Sequence, residues 1–218
     1  MSTSSPDLAS LLCSRLCHDL LSPVGALSNG LELLADEQDP EMRQRCLELL
    51  EQSARISTDK LKFFRLAFGA AGGFGDMVPV AEARSLIDAL VGNNERISVN
   101  WDLVGDSLPK PAVKTLLNFS LIAIDALIRG GTLDIAAEMR TSESGAAASE
   151  IVVRATGKKI AFDPTIGQAL EGTLPETELS SRTAPAAMLR QLSNGLGGKL
   201  QHALSAEALV LGAVLPTG

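Results

Sequence analysis

One segment of the chain carries residue types that can do chemistry: Cys17-His18-Asp19-Leu20-Leu21-Ser22-Pro23. An imidazole is a nucleophile when one ring nitrogen holds the proton and the other keeps its lone pair. Asp19 can accept a hydrogen bond from Nδ1–H of His18, or from another neighbour's donor. The first arrangement fixes the tautomer and leaves Nε2 free. Arg15, one helical turn earlier, can neutralise an anionic phosphoryl group carried on the ring. A single histidine on a helix is usually just a solvated residue. Here, however, Leu11, Ser14, Arg15, Ser22, Gly25 and Asn29 share its face at helical spacing, and most are small or polar. That describes an open strip on which a partner can reach the ring. Pro23 removes a main-chain hydrogen bond and loosens the turn just below His18.

The elements that must position this segment are two long helices. Ser5-Pro6 is expected to cap the first, with Pro6 at its first turn. Cys13, Cys17, Leu20, Val24, Leu27, Leu31 and Leu34 recur at alternating spacings of 4 and 3, a heptad seam. Asp36 to Pro40 is a polar break, with Asp39 capping the next helix. Met42, Cys46, Leu49, Ser53, Ile56, Lys60, Phe63 and Ala67 repeat the pattern. A short connection between two such helices makes an antiparallel hairpin. Leu12, Leu16, Leu21, Leu47, Leu50, Leu61 and Phe64 lie beside the seams, more apolar surface than one hairpin buries. The economical solution is a homodimer in which two hairpins form a four-helix bundle. Packing against the rest of the chain is the rival.

Four glycines between Gly69 and Gly75 stop the second helix. Residues 1–70 are therefore read as the helical domain, 71–79 as a Gly-rich linker and 80–218 as an α/β domain. In the last, Val80 to Val91 reads as a helix and Arg96 to Leu103 as a strand. A helix opened by Pro109 or Pro111 runs to about Ile128, and Thr132 to Glu138 is a strand that turns through residues 141–149 into Glu150 to Ala155. Pro185 opens a helix closed by Gly195, and Lys199 to Ala203 and Ala208 to Val214 form a final strand pair. The expected architecture is a mixed sheet with helices on one face.

Composition narrows the function further. The 218 residues are 45% hydrophobic, 3% aromatic and carry a net charge of −7. Such an acidic chain with no Tyr is a poor nucleic-acid binder, because phosphate contacts and base stacking need clustered cations and aromatics. No basic segment precedes an apolar one at the start, and the apolar stretch Leu116 to Ile128 is short and broken by polar residues. A cytoplasmic protein that does not enter a membrane is expected. Two histidines and three cysteines leave little for a closed metal site. Cys13 and Cys17 are read as small apolar seam residues. Glu48, Glu51, Arg55, Asp59 and Lys60 are read as a solvated face, and Arg65 with Lys60 and Lys62 as a basic patch of weaker docking potential. His202, with no acidic neighbour in sequence, is read as structural or exposed.

His18-Asp19-Leu20-Leu21-Ser22-Pro23 resembles the H-box of two-component histidine kinases, His-[Glu/Asp]-x-x-[Ser/Thr]-Pro. The hairpin resembles their dimerisation and phosphotransfer domain, and the α/β part their ATP-binding domain in order and length. Leu12 to Asp19, Ser22 to Ala26, Asn29 to Leu34 and Phe63 to Gly69 are closer still to the alphaproteobacterial ChpT family of histidine phosphotransferases. The resemblance implies that His18 is the phosphorylated residue, supported by Asp19. Leu11, Arg15, Leu21, Ser22 and Gly25 would form the docking surface. A hybrid kinase's receiver domain would be the donor and response regulators the acceptors, with magnesium held by the receivers and no cofactor held by this chain.

The resemblance also marks where a kinase's nucleotide ligands should lie. Leu121 and Asp125 stand at the two Asn positions of the kinase Asn-x-x-x-Asn-Ala motif. Ala155 replaces the Asp that reads adenine, and residues 163–184 hold only Gly167 and Gly172 where a Gly-rich lid is needed. A phosphotransferase with a degenerate ATP-binding domain is the reading these departures support. An active kinase with an atypical nucleotide site and a non-catalytic receiver-binding dimer remain the alternatives.

Overall fold

The first helix, α1 (Leu8–Asp36), starts where Asp7 accepts the Ala9 N–H at 3.1 Å through its side chain. The structure is a computed structural model and describes residues 7–69, 75–92, 96–141 and 147–217. The expected cap at Ser5-Pro6 lies outside these residues. Asp39 caps α2 (Pro40–Ala67) by accepting the Met42 N–H at 3.0 Å, with Pro40 in the first turn, as expected. Arg43 closes the corner by donating to the carbonyls of Leu34 and Glu37.

The two helices meet along only part of the heptad seams: Leu20, Leu27 and Leu34 of α1 are half-buried and Cys46 and Ser53 of α2 are buried. The strip of α1 that turns to α2 carries buried Pro23 and Gly30, and the facing strip of α2 carries buried Cys46, Ser53 and Ser57. These are small residues, and a Cβ on Gly30 would fall 2.8 Å from Leu50 Cδ2. Gly30 thus leaves the space that the Leu50 side chain fills against α1. The other seam residues Cys13, Cys17, Val24 and Leu31 lie exposed, as do Met42 and Leu49. The expectation that Cys13 and Cys17 pack in a core is therefore not met within one chain. A helix with an apolar arc this wide can offer either strip to its neighbour, and side-chain size decides which.

Part of the surplus apolar surface goes to the rival solution. Phe63, Phe64, Leu66 and Ala67 at the end of α2 belong to the same core as the α/β part. Phe64 meets Phe63 edge-on at 5.6 Å and stacks on Phe68 at 5.0 Å. They pack where α2 crosses α3 (Val80–Val91) and α4 (Lys110–Ala126). Fully buried Asn118 of α4 donates to the carbonyl of Ala67 at 3.1 Å, satisfying an acceptor at the helix end.

A five-stranded mixed sheet runs in the order β2 (Ile97–Leu103), β4 (Gly131–Thr141), β5 (Ala147–Thr156), β7 (Ala208–Thr217), β6 (Lys199–Leu204). β2 and β4 are parallel, joined across α4, and the other pairs are antiparallel. Alternate residues are buried, among them Leu133, Ile135, Ile151, Val153, Leu209 and Leu211, so one face holds the core and the helices cover it. The turn expected between β4 and β5 falls partly outside the described residues. β1 (Met77–Pro79) and β3 (Ser107–Pro109) form a small antiparallel ribbon that the sequence reading missed, being too short for a periodic signal.

Also missed was α5 (Pro164–Glu171), capped by Asp163 and stopped by Gly172 at φ 76°. It precedes a 3-10 turn (Glu176–Glu178) and α6 (Ala184–Gly195). His202 packs against α5, where a Cβ on Gly167 would lie 2.7 Å from its Nε2. Its Nδ1 lies 3.6 Å from Glu171 Oε1, an acid brought in by the fold. α6 packs on α1 and so brings the α/β part up against the helix that carries His18.

Candidate functional site

His18 lies on α1 with its side chain 82% exposed. Its Nδ1 is 3.1 Å from Asp19 Oδ1. A carboxylate can only accept, so this contact calls for the proton on Nδ1, the tautomer whose lone pair is on Nε2. Of the two arrangements the sequence left open for Asp19, both are realised at once. Its second oxygen accepts from Arg15 Nε at 2.8 Å.

Arg15 goes on to bind Asp125 of α4, Nη2 to Oδ2 at 2.7 Å. Its side chain is only 13% exposed. Burial pulls the guanidinium pKa down, but the carboxylates of Asp125 and Asp19 outweigh that and hold it above its ordinary value. The cation expected to face a phosphoryl group is thus committed to two carboxylates and ties α1 to the α/β part.

Pro23 leaves the carbonyl of Asp19 without its helical donor, because a proline has no N–H to return four residues back. The helix nevertheless runs unbroken through it. Lys60 of α2 fills the vacancy, its Nζ donating to Asp19 O at 2.8 Å. Lys60 is therefore half-buried between the helices and not part of a solvated face, as the sequence reading had it. The turn below His18 is braced from the neighbouring helix.

A cleft of about 380 Å³ opens beside the ring, lined by Arg15, His18, Asp19, Asp125, Ser181 and Arg182. It brings together four of the residues singled out from sequence: Arg15, His18 and Asp19 of the H-box helix, and Asp125, noted there only for standing at a kinase Asn position. Leu11, Leu21, Ser22 and Gly25 stay on α1 outside it. Leu21 is among the most exposed apolar side chains, Ser22 is exposed, and Leu11 and Gly25 are half-buried. Nothing lies within 4 Å of where a Cβ on Gly25 would stand, so the helix surface there is open. Ser181 and Arg182 went unnoticed in the sequence, since no local pattern places them 163 and 164 residues after His18.

At two of the positions where the resemblance would set nucleotide ligands, apolar groups are packed, and the third, Asp125, is bound by Arg15. Leu121 and Ala155 are buried. A Cβ on Gly157 would fall 2.8 Å from the Gly130 carbonyl and 3.1 Å from Leu127 Cδ2. The Ala161 N–H donates to Ala126 O at 2.9 Å, which pins the segment after β5 onto the end of α4.

The model of the family described as "Histidine phosphotransferase C-terminal domain" matches residues 80–208. The chain is 33% identical over 210 residues to Protein phosphotransferase ChpT of Brucella abortus (strain 2308), covering 96% of each. Among solved structures, one described as that of a bacterial phosphotransferase superposes with a TM-score of 0.79 at 32% identity, over 98% of each chain.

Proposed function

The chain belongs to the family of histidine phosphotransferases, and from that premise we propose that it relays phosphoryl groups between receiver domains, carrying them on His18. The observation that bears this reading is the exposed His18 ring with Nδ1 held by Asp19 at 3.1 Å. An aspartyl phosphate on the donor receiver, that of a hybrid histidine kinase, is attacked in line by the Nε2 lone pair. The N–P bond forms as the P–O bond breaks, and its electron pair leaves with the receiver carboxylate. Nδ1 keeps its proton, donated in a hydrogen bond to Asp19, which stabilises the charge that develops on the ring. The reverse step delivers the group to an aspartate of a response regulator. Catalysis here is mostly positioning, with magnesium supplied by the receiver.

ATP plays no direct part in this proposal. The packing of Leu121, Ala155 and Gly157 supports that, as does Asp125, whose carboxylate is bound by Arg15. The exposed apolar strip of Cys17, Val24, Leu31, Met42 and Leu49 supports a homodimer, closed as a four-helix bundle.

The test follows label from a phosphorylated receiver domain to the chain, with His18→Gln and an ATP-only lane beside it. Acid-labile label on the wild type alone is expected. Label from ATP would make the chain a kinase, and label on His18→Gln would move the site elsewhere.

A further inference from the structure

A phosphoryl group on His18 adds negative charge to a cleft that already holds the carboxylates of Asp19 and Asp125. Arg15 cannot turn to meet it without abandoning both, for its Nε and Nη2 are bound to them at 2.8 and 2.7 Å. The other cation lining the cleft is Arg182. It stands on a turn that fixes itself. Ser180 N–H donates to Thr183 Oγ1 at 2.9 Å, Ala184 N–H donates to Ser180 O at 2.9 Å, and Thr183 is buried. α6 follows at once and packs on α1, so the position of this turn relative to His18 is set by tertiary contact.

The guanidinium itself is loosely held. Its side chain is 68% exposed and makes one long contact, Nη1 to Asp163 Oδ2 at 3.4 Å. Asp163 has other work. Its Oδ1 accepts the Thr165 N–H at 3.0 Å and the Thr165 hydroxyl at 2.7 Å, which caps α5. Arg182 can leave without disturbing that cap. An exposed ion pair of this kind is worth little, whereas a guanidinium presents paired donors that match phosphoryl oxygens.

We propose that Arg182 is a phosphoryl-contacting residue of this site, swinging from Asp163 into the cleft to bind the oxygens of the group carried on His18. The proposal rests on the phosphorelay reading and deepens it. Arg182 supplies charge and N–H donors only. The Nε2–P bond still forms at the expense of the receiver's P–O bond, and the Nδ1 proton stays with His18 and Asp19. The same contact serves both directions of transfer.

The experiment measures the rate of label transfer from a phosphorylated receiver to the wild type, Arg182→Ala, Arg182→Lys and His18→Gln. It also measures the affinity of each for the unphosphorylated receiver, and the thermal midpoint. Arg182→Ala is expected to slow transfer by about tenfold or more, the factor that loss of one hydrogen bond to a charged group brings. Arg182→Lys should recover part of the rate. Affinity for the unphosphorylated receiver should stay within about twofold, because the charge acts on the phosphoryl group, and the thermal midpoint should not move. A wild-type rate in Arg182→Ala would overturn the proposal. So would a loss of receiver affinity that matches the loss of rate, which would make Arg182 a docking residue. A wild type that takes no label, or label that survives His18→Gln, would overturn the phosphorelay reading and this proposal with it.

Discussion

The ammonium of Lys60 lies 2.8 Å from the main-chain oxygen of Asp19, the acceptor that Pro23 leaves without its helical donor. One helix thus repairs a bond that a proline removes from the other, in the turn that carries the nucleophile. Lys60→Met should leave that carbonyl unsatisfied and cost about 2 kcal/mol, a fall of about 4 to 8 °C in thermal midpoint for a chain of this size. In a Pro23→Ala background the helix makes its own bond, and the same substitution should cost less than about 1 kcal/mol. Equal costs in both backgrounds would show that Lys60 acts elsewhere.

Arg15 joins α1 to α4 through Asp125, across 110 residues of chain. Removing it leaves the Asp19 and Asp125 carboxylates without their shared cation. Arg15→Ala is expected to destabilise by about 2 to 3 kcal/mol in chemical unfolding. The half-exposed Asp125 limits its own share, so a double-mutant cycle with Asp125→Asn should report a coupling of about 1 kcal/mol. Arg15→Lys should not rescue, since one ammonium cannot reach both carboxylates in the guanidinium's geometry.

Thr165 holds the Asp163 carboxyl below the usual carboxylate range, by its hydroxyl first and then by its N–H, with a smaller contribution from Arg182. A carboxyl whose pKa is lower folded than unfolded stabilises above its unfolded pKa and loses that stabilisation as pH falls through the folded value. Asp163→Ala should therefore lower the thermal midpoint at pH 7 by about 2 to 4 °C, the worth of one helix cap. The gap to wild type should begin to close as pH falls below about 4 and go on closing as pH falls through the folded value. A gap that does not narrow as pH falls would mean that the cap does not depend on the charge.

The exposed strip of the hairpin offers a direct test of the homodimer. Leu31 is 59% exposed in one chain, so a charge there costs the isolated protomer little. Leu31→Glu should keep the far-ultraviolet circular dichroism of the wild type and shift the mass from light scattering from two chains to one. An unchanged mass would place any self-association on another surface.

Much of the fold was legible in the chain because its signals are local. Proline and glycine punctuate it, Asp39 caps α2, and 3.6-residue and two-residue periodicities give α3, α4 and the long strands. What escaped was short. The ribbon of Met77–Pro79 with Ser107–Pro109 and the eight-residue α5 are too brief to show a period. The heptad seams were legible, yet only part of each closes the hairpin: Cys46 and Ser53 are buried, while Cys17, Val24, Leu31 and Leu49 stay exposed and Gly30, beside the seam, takes the Leu50 side chain instead.

The site divides in the same way. The nucleophile, its acidic neighbour and the proline below them are adjacent in sequence, so His18, Asp19 and Pro23 could be read from the residues alone. A helix fixes such neighbours by its own geometry. Everything that holds or faces His18 from outside α1 came only with the tertiary structure. Lys60 arrives from the second helix, Asp125 from the end of α4, and Arg182 from the turn before α6. Residue spacing carries no record of these contacts, because they are made by the packing of α2, α4 and α6 around a shared core and not by any periodicity of the backbone.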